Sequence, residues 1–337
     1  MTDLLQQIQQ LQFDDRGRAE ALLRDFIQST FPILHVETVI LRPQAVSLNS
    51  FNGFLTLQNG QRLFFKTHTE QDNVIDEYYN AKLLADAGYP VIQPVYSSNQ
   101  AGQHLLIYDV IESPSVFDVA WAIEQGENTR DFDALYLAQN DADRMLYDLY
   151  VNTLDWQSEH DARKTPIHQL FIHRLIGGRL QRFYADDVEI MLPDARYLMG
   201  ALKNKRWLIN GQAYEQTLHM LIEHISGDIL SFEKLHGGIP SIIGHGDAHN
   251  GNVFFRNNNE PPNLLYFDPA FAGRHHPLLD LAKPVFHNVF AMWMYFPEAK
   301  RADTKITLHD KTDVLQVEYH YELPEIRHMF LNSKIDN

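Results

Sequence analysis

A change in hydrophobic period near residue 113 limits the folds open to this chain. Before it, apolar residues alternate in short runs: VSLNSFNGFLTLQ and RLFFKTH flank Asn59-Gly60, and HLLIYDVI follows. Period-two alternation suits strands, and Asn-Gly between two such runs is a strong hairpin signal. After it, ADRMLYDLYVNTL, IHQLFIHRLIGGRLQRFYAD and YEQTLHMLIEHISGDILSFEKL space their apolar residues as helices do. Two amphipathic helices are expected within residues 3–30, ending before Pro32, and DEYYNAKLLADAG predicts a helix stopped by Gly88. NVFF and LLYFD predict a short hairpin around the turn-rich RNNNEPPN, and KITLHDKTDVLQVEYHY alternates as another. The fold class expected is α+β, β-rich over residues 1–112 and mainly helical over 113–337. The helical residues 115–240 and the tail are expected to build a small-molecule pocket.

The 337 residues are enough for two such parts, and 45% apolar against 21% charged content supports a packed core. There is no cysteine, which excludes disulfides, thiolate metal sites and thiol nucleophiles. Lysine and arginine number 28 against 44 acidic residues, a formal charge of −16. That argues against nucleic acid or an anionic membrane as partner. It reads either as a device for solubility or, more sharply, as a pocket for a cationic substrate. No apolar run approaches the ~20 residues that span a bilayer, and MTDLLQQIQQLQFDD lacks a secretory pattern. A cytoplasmic protein is expected.

The run GHGDAHNGNVFF, Gly244 to Phe255, concentrates the polar chemistry. Phosphoryl transfer to a hydroxyl is catalysed mainly by positioning and charge neutralisation, so it needs few parts. Lys66, closing RLFFK, can hold phosphates, and Glu77 on the following helix can pair with it. Asp247 can orient or deprotonate the acceptor hydroxyl. Asn252 and Asp268, at the two feet of the predicted hairpin, offer the hard oxygen ligands that Mg²⁺ prefers. His245 reads as a brace for the loop, and His249 as a group facing phosphate or substrate. His275-His276 reads as surface or rim. Tyr147, Tyr150 and Phe171 fall at core spacing.

HGDAHNGN, with YFDPAFAG and HPLLDLA beyond it, resembles the aminoglycoside phosphotransferase/choline kinase family over about residues 45–285. The family's H-G-D-x-x-x-x-N loop is met by His245, Gly246, Asp247 and Asn252, and its metal-binding aspartate by Asp268. Pro277, Asp280, Leu281 and Ala282 match a later element in part. DEYYNAKLLADAGYPV is similar to the family helix bearing the lysine-pairing glutamate, which places Glu77. The resemblance implies a protein-kinase-like two-lobe fold and ATP with Mg²⁺ as cofactors. It implies transfer of the γ-phosphoryl group to a small hydroxyl acceptor. It also implies adenine bonding by the backbone of Asp109 and Ile111, with Tyr108 behind the ring. Ser50, Asn52 and Gly53 would lie in the phosphate-covering loop, although this chain has a single glycine there. His275-His276 stands where relatives carry Gly-Asp, and FDPAFAG has some similarity to the fructosamine-kinase branch. Two other functions stay open: an idle nucleotide-binding module, suggested by the glycine-poor loop, and a metallohydrolase, suggested by HGDAH.

Overall fold

The computed structural model describes residues 4–42, 50–68, 77–98, 100, 102–176, 178–192, 195–232 and 237–336. The chain divides into two compact units, Met1–Asp86 with Pro90–Ser113, and Ala87–Tyr89 with Pro114–Asn337.

The first unit opens with helices α1 (Leu4–Asp14) and α2 (Arg16–Thr30). Asp15 caps α2, its carboxylate accepting from the Arg18 N–H at 3.1 Å. Five strands follow: β1 (Val36–Leu41), β2 (Ser50–Leu57), β3 (Arg62–His68), β4 (Tyr96–Ser98) and β5 (Leu105–Asp109), with α3 (Glu77–Ala87) between the third and fourth. They form one antiparallel sheet in the order β1-β2-β3-β5-β4. Asn59-Gly60 makes the β2–β3 turn, where Leu57 N–H donates to the Gln61 carbonyl at 2.8 Å. Leu63 and Phe65 turn to one face and join Leu55, Ile107 and the inner sides of α1 and α2 in a core. Each such side chain is worth about 1.5–3 kcal/mol when fully buried. Phe64 and Lys66 alternate to the opposite face.

The second unit begins with α4 (Val116–Glu124), α5 (Phe132–Thr153), β6 (Asp155–Gln157), α6 (Glu159–Lys164), α7 (Pro166–Leu175) and α8 (Gly178–Tyr184). Next come β7 (Glu189–Leu192), β8 (Ala195–Leu198), α9 (Met199–Asn204), β9 (Arg206–Ile209), β10 (Gln212–Tyr214) and α10 (Leu218–His224). The site is built on β11 (Ile239–Gly244), β12 (Val253–Arg256), β13 (Asn263–Tyr266), β14 (Gly273–His275) and α11 (Pro277–Val285). The chain closes with α12 (Met292–Tyr295), α13 (Pro297–Ala302), β15 (Lys305–Lys311), β16 (Val314–His320) and α14 (Glu325–Asp336).

Helix α5 shows why the pattern after residue 113 folds as it does. Leu135, Ala138, Ala142, Leu146 and Leu149 recur at helical spacing and are buried, packing on β11, β13 and α14. Tyr147, expected in the core, is exposed on the opposite side. Two further expectations need correction. Residues 115–240 are not wholly helical, since β7 to β10 lie within them. The tail hairpin β15–β16 does not stand alone: β16 pairs in parallel with β9, giving a sheet ordered β10-β9-β16-β15. Helix α14 is held by buried charge. Arg327 binds the Glu124 carboxylate, which also meets Lys300, and Asp143 takes Ser333 and Lys334. Removing one partner of such buried sets is costly because it strands a charge away from water. Among the described residues no helix is long and apolar enough to cross a membrane.

Candidate active site

Strand β11 ends at Gly244 and delivers the loop His245–His249, which closes in the short 3₁₀ turn Asn250–Asn252 before β12. His245 is fully buried. Its Nε2 lies 3.0 Å from the Phe267 carbonyl, and its Nδ1 accepts from the Asp247 N–H at 3.3 Å. A carbonyl can only accept, so the ring carries its proton on Nε2. Burial holds its pKa below the usual histidine value, against the attraction of Asp280, Asp247 and Asp268. It is a neutral brace across the loop.

Beneath the loop lies Asp280, on the first turn of α11 and fully buried. It accepts from the Gly246 N–H, from Tyr150, from Tyr89 at 3.4 Å and from His275 Nε2 at 3.1 Å. Burial works to raise its pKa, but the bonds from His275, Tyr150 and Gly246 outweigh it and hold the carboxyl well below the usual range. Gly246 has to be glycine: its φ is +75°, and a Cβ there would stand 2.4 Å from the Phe271 carbonyl oxygen. The reading of His275 as a surface residue is corrected. The ring has no exposure and is locked to Asp280, while His276 caps α11 by accepting the Leu278 N–H at 3.2 Å.

Asp247 has a different setting. Its carboxylate forms an ion pair with Lys283 of α11, with side-chain exposures of 13% and 7% respectively, so the pair is mostly shielded from water. His249 Nε2 stands 3.4 Å from the same oxygen, Oδ1. His249 Nδ1 accepts from the Gly251 N–H at 3.1 Å, so the neutral ring turns its N–H toward Asp247. Burial lowers the His249 pKa to about 4, assisted by Lys283 and His245. Burial also raises Asp247 and lowers Lys283, in each case against their mutual attraction. Despite these neighbours, Oδ1 has no well-aligned hydrogen bond among the described residues. Oδ1 is itself closed off from solvent, so the carboxylate meets an incoming group through the part of the side chain that stays exposed.

Lys283 escaped the sequence reading, where a lysine after DLA looks like a solvated helix residue. A signal was present. Lys283 follows Asp280 by three residues, and so shares the helix face that Asp280 turns to the loop.

The hairpin β12–β13 brings Asn252 and Asp268 to one end. Val253 pairs with Tyr266, and the Phe267 N–H donates to the Asn252 carbonyl at 3.1 Å. Asn252 Nδ2 donates to the Asp247 carbonyl at 3.0 Å, which fixes the carboxamide. Asp268 has φ +56°, a left-handed conformation uncommon for a residue with a side chain. A carboxamide oxygen and a carboxylate make a hard donor set that fits Mg²⁺ better than a soft metal. The histidines of HGDAH, by contrast, each have a ring nitrogen engaged by backbone. Among the described residues no group of three or more His, Asp or Glu could enclose a metal ion.

The remaining candidates lie in the first unit. Lys66 pairs across the sheet with Asn52 on one side and Leu106 on the other. Glu77 opens α3, but its side chain lies outside the described residues, as does that of Ser50. The expected loop at Ser50–Gly53 is corrected: these residues belong to strand β2, and Gly53 pairs with both Leu41 and Phe65. A Cβ at Gly53 would stand 2.1 Å from the Ile40 carbonyl oxygen, so packing explains that glycine. Residues 43–49, the turn before β2, fall outside the described part. Asp109 ends β5 and is exposed, Ile111 follows it half-buried, and the Tyr108 ring lies 6.4 Å from Phe64.

No family model matches the chain, and no curated protein matches it significantly. Among solved structures it is similar to the macrolide 2'-phosphotransferase MphH from Brachybacterium faecium, at 12% identity and a TM-score of 0.42, covering 95% of this chain and 83% of that one. It is also similar to amicoumacin kinase hAmiN bound to AMP-PNP and Ca²⁺, at 14% identity and a TM-score of 0.44, covering 93% and 76%. A protein assigned as a fructosamine-3-kinase from Thermobifida fusca matches at 13% identity and a TM-score of 0.38, covering 83% and 94%. At these scores the likeness carries no functional weight. The element order is nevertheless protein-kinase-like: a five-stranded antiparallel sheet with a helix before its fourth strand, then a mainly helical unit bearing the loop and hairpin.

Proposed function

We propose that this chain transfers the γ-phosphoryl group of ATP to a hydroxyl of a small acceptor, with Mg²⁺ as the metal. The observation that carries the reading is the setting of Asp247. Its carboxylate is drawn out of water, faced by an ammonium and a neutral imidazole, and held beside the hairpin end that bears Asn252 and Asp268.

In this reading the acceptor hydroxyl donates to the Asp247 carboxylate, which aligns its oxygen on the γ-phosphorus. The new P–O bond forms as the bond to the leaving ADP oxygen breaks, and the hydroxyl proton passes to the Asp247 carboxylate. Asn252 and Asp268 hold the metal, which when bound neutralises charge on the phosphates. Lys66, oriented by Glu77, binds phosphate oxygens. Backbone groups of Asp109 and Ile111 bind the adenine, and the stretch at Ser50, Asn52 and Gly53 borders the phosphates.

A coupled assay of ADP release over a panel of hydroxyl acceptors tests this, with Asp247→Ala as control. Loss of transfer with nucleotide binding retained is the expected result; transfer surviving the substitution would overturn the mechanism. The glycine-poor stretch at Gly53 motivates a second reading, an idle nucleotide-binding module. Binding of ATP with no turnover on any acceptor would favour it.

A further inference from the structure

Apart from Asp247 and Asp268, which the proposed chemistry already uses, the charges that act on the acceptor side of the loop are positive. Lys283 is one, packed with its ammonium 5.3 Å from the centre of the Phe271 ring. Arg174 is another, with Arg179 acting on it in turn. Arg174 lies in the last turn of α7, which packs on α11. Around it Phe171, Ile172 and Leu175 join Phe271 against the Ile167–Leu230–Leu279 core. Phe271 also lies against Gly246, so the end of α7, the loop and Lys283 share one aromatic support.

Arg174 is half-buried, and among the described residues no hydrogen bond or ion pair engages it. Its guanidinium is within electrostatic reach of Arg179, Asp247 and Tyr295, and its charge acts on Lys283, His249 and His287. The other groups there are neutral hydrogen-bonding partners. His287 Nδ1 lies 2.6 Å from the Tyr295 hydroxyl, and its ring centre is 5.1 Å from that of His249. A polyamine entering here would be repelled by Lys283 and Arg174, and would find Asp247 already paired with Lys283. An oxyanion would meet a guanidinium that no described residue bonds, with the ammonium of Lys283 on the same face of the loop.

We infer that the acceptor carries an oxyanion, a carboxylate or a phosphate, close to its reacting hydroxyl, and that Arg174 receives it. This rests on the phosphotransferase reading and runs against the −16 charge of the whole chain, which taken alone favours a cation. The local field and the overall charge make opposite forecasts.

The test uses four ligands with similar hydroxyl skeletons: gluconate, glucose 6-phosphate, glucose and glucosamine. Binding to the full chain is measured by calorimetry with Mg²⁺ and AMP-PNP saturating, so that the nucleotide's own phosphates fill their site. Either anion should bind more tightly than glucose and glucosamine most weakly; the better anion tells carboxylate from phosphate. Arg174→Gln should weaken the anion about tenfold or more and glucose less than about twofold. In turnover the KM for the acceptor should rise while that for ATP stays put. Preference for glucosamine, a ranking untouched by Arg174→Gln, no binding by either anion, or a shift confined to the KM for ATP would each overturn the inference. Anion-ranked binding that depends on Arg174, with no transfer to any of the four, would uphold the charge assignment and count against the kinase reading.

Discussion

Two aspartates of the second unit, Asp247 and Asp280, are governed by the same physics and arrive at opposite states. Asp280 is surrounded by donors from four residues, and its carboxyl is held well below the usual range. Asp247 has an ion pair and one imidazole edge, and burial wins, so its carboxyl is raised. A carboxylate whose lone pairs are all occupied can fix a loop but has nothing to offer a substrate. One left under-bonded in a shielded place costs stability and keeps its basicity for a hydroxyl. The pair separates scaffold from chemistry within one short stretch of structure.

The contrast breaks most readily at Asp247. Asp247→Asn keeps the shape and removes the base, so transfer should fall by about 10²–10⁴-fold. The thermal midpoint should move less than it does for the Asp280 substitution, and a coupled assay beside a melting curve reads both. If Asp247→Asn unfolded the protein while Asp280→Asn did not, the two roles would have been assigned the wrong way round.

Asp280→Asn should act chiefly on stability. It leaves the donors on Gly246, Tyr150 and His275 facing an uncharged amide in a dry site, at a cost of about 3 kcal/mol or more. Denaturant unfolding measures the loss, and transfer should decline with it because the loop loses its anchor. Gly246→Ala sharpens the same point from the backbone side. Its Cβ would meet Phe271, and the left-handed φ disfavours any side chain, so about 1–3 kcal/mol should be lost.

How much of this was legible beforehand follows from sequence distance. Asp247 and Asn252 lie in one loop and Asp268 one hairpin away, so local pattern alone brings the three together. The Asn59-Gly60 turn and the helices on either side of Asp15 were local too. What stayed hidden was made by long-range packing. Tyr89, Tyr150 and His275 converge on Asp280 from three separate stretches of the chain, and in sequence an aromatic or a histidine at such places reads as packing or rim. The parallel pairing of β9 with β16 joins short strands a hundred residues apart, which no hydrophobic period encodes. Gly53 misled for another reason: a glycine required by the Ile40 carbonyl and the Phe65 ring resembles one required by phosphate.

The smallest effect belongs to the histidines beside Asp247, and its sign follows from linkage. Burial holds His249 and His287 down to about 4, with neighbouring positive charge adding to it, whereas an unfolded histidine titrates near 6.5. Between those values the unfolded chain takes up protons that the folded one refuses, so stability is intact above about pH 6.5 and drains away as pH falls toward 4. Asp280 adds to the decline only at the bottom of that window, where an unfolded aspartate, titrating at ~3.9, begins to take up protons that the folded carboxyl refuses. The double substitution His249→Gln with His287→Gln should therefore flatten the decline in thermal midpoint between pH 6.5 and 4.5 while changing the midpoint at pH 8 by only a few degrees. An unchanged slope would mean that the two rings are charged or solvated in the folded protein. The under-bonded setting of Asp247 would then be wetter than the comparison with Asp280 requires.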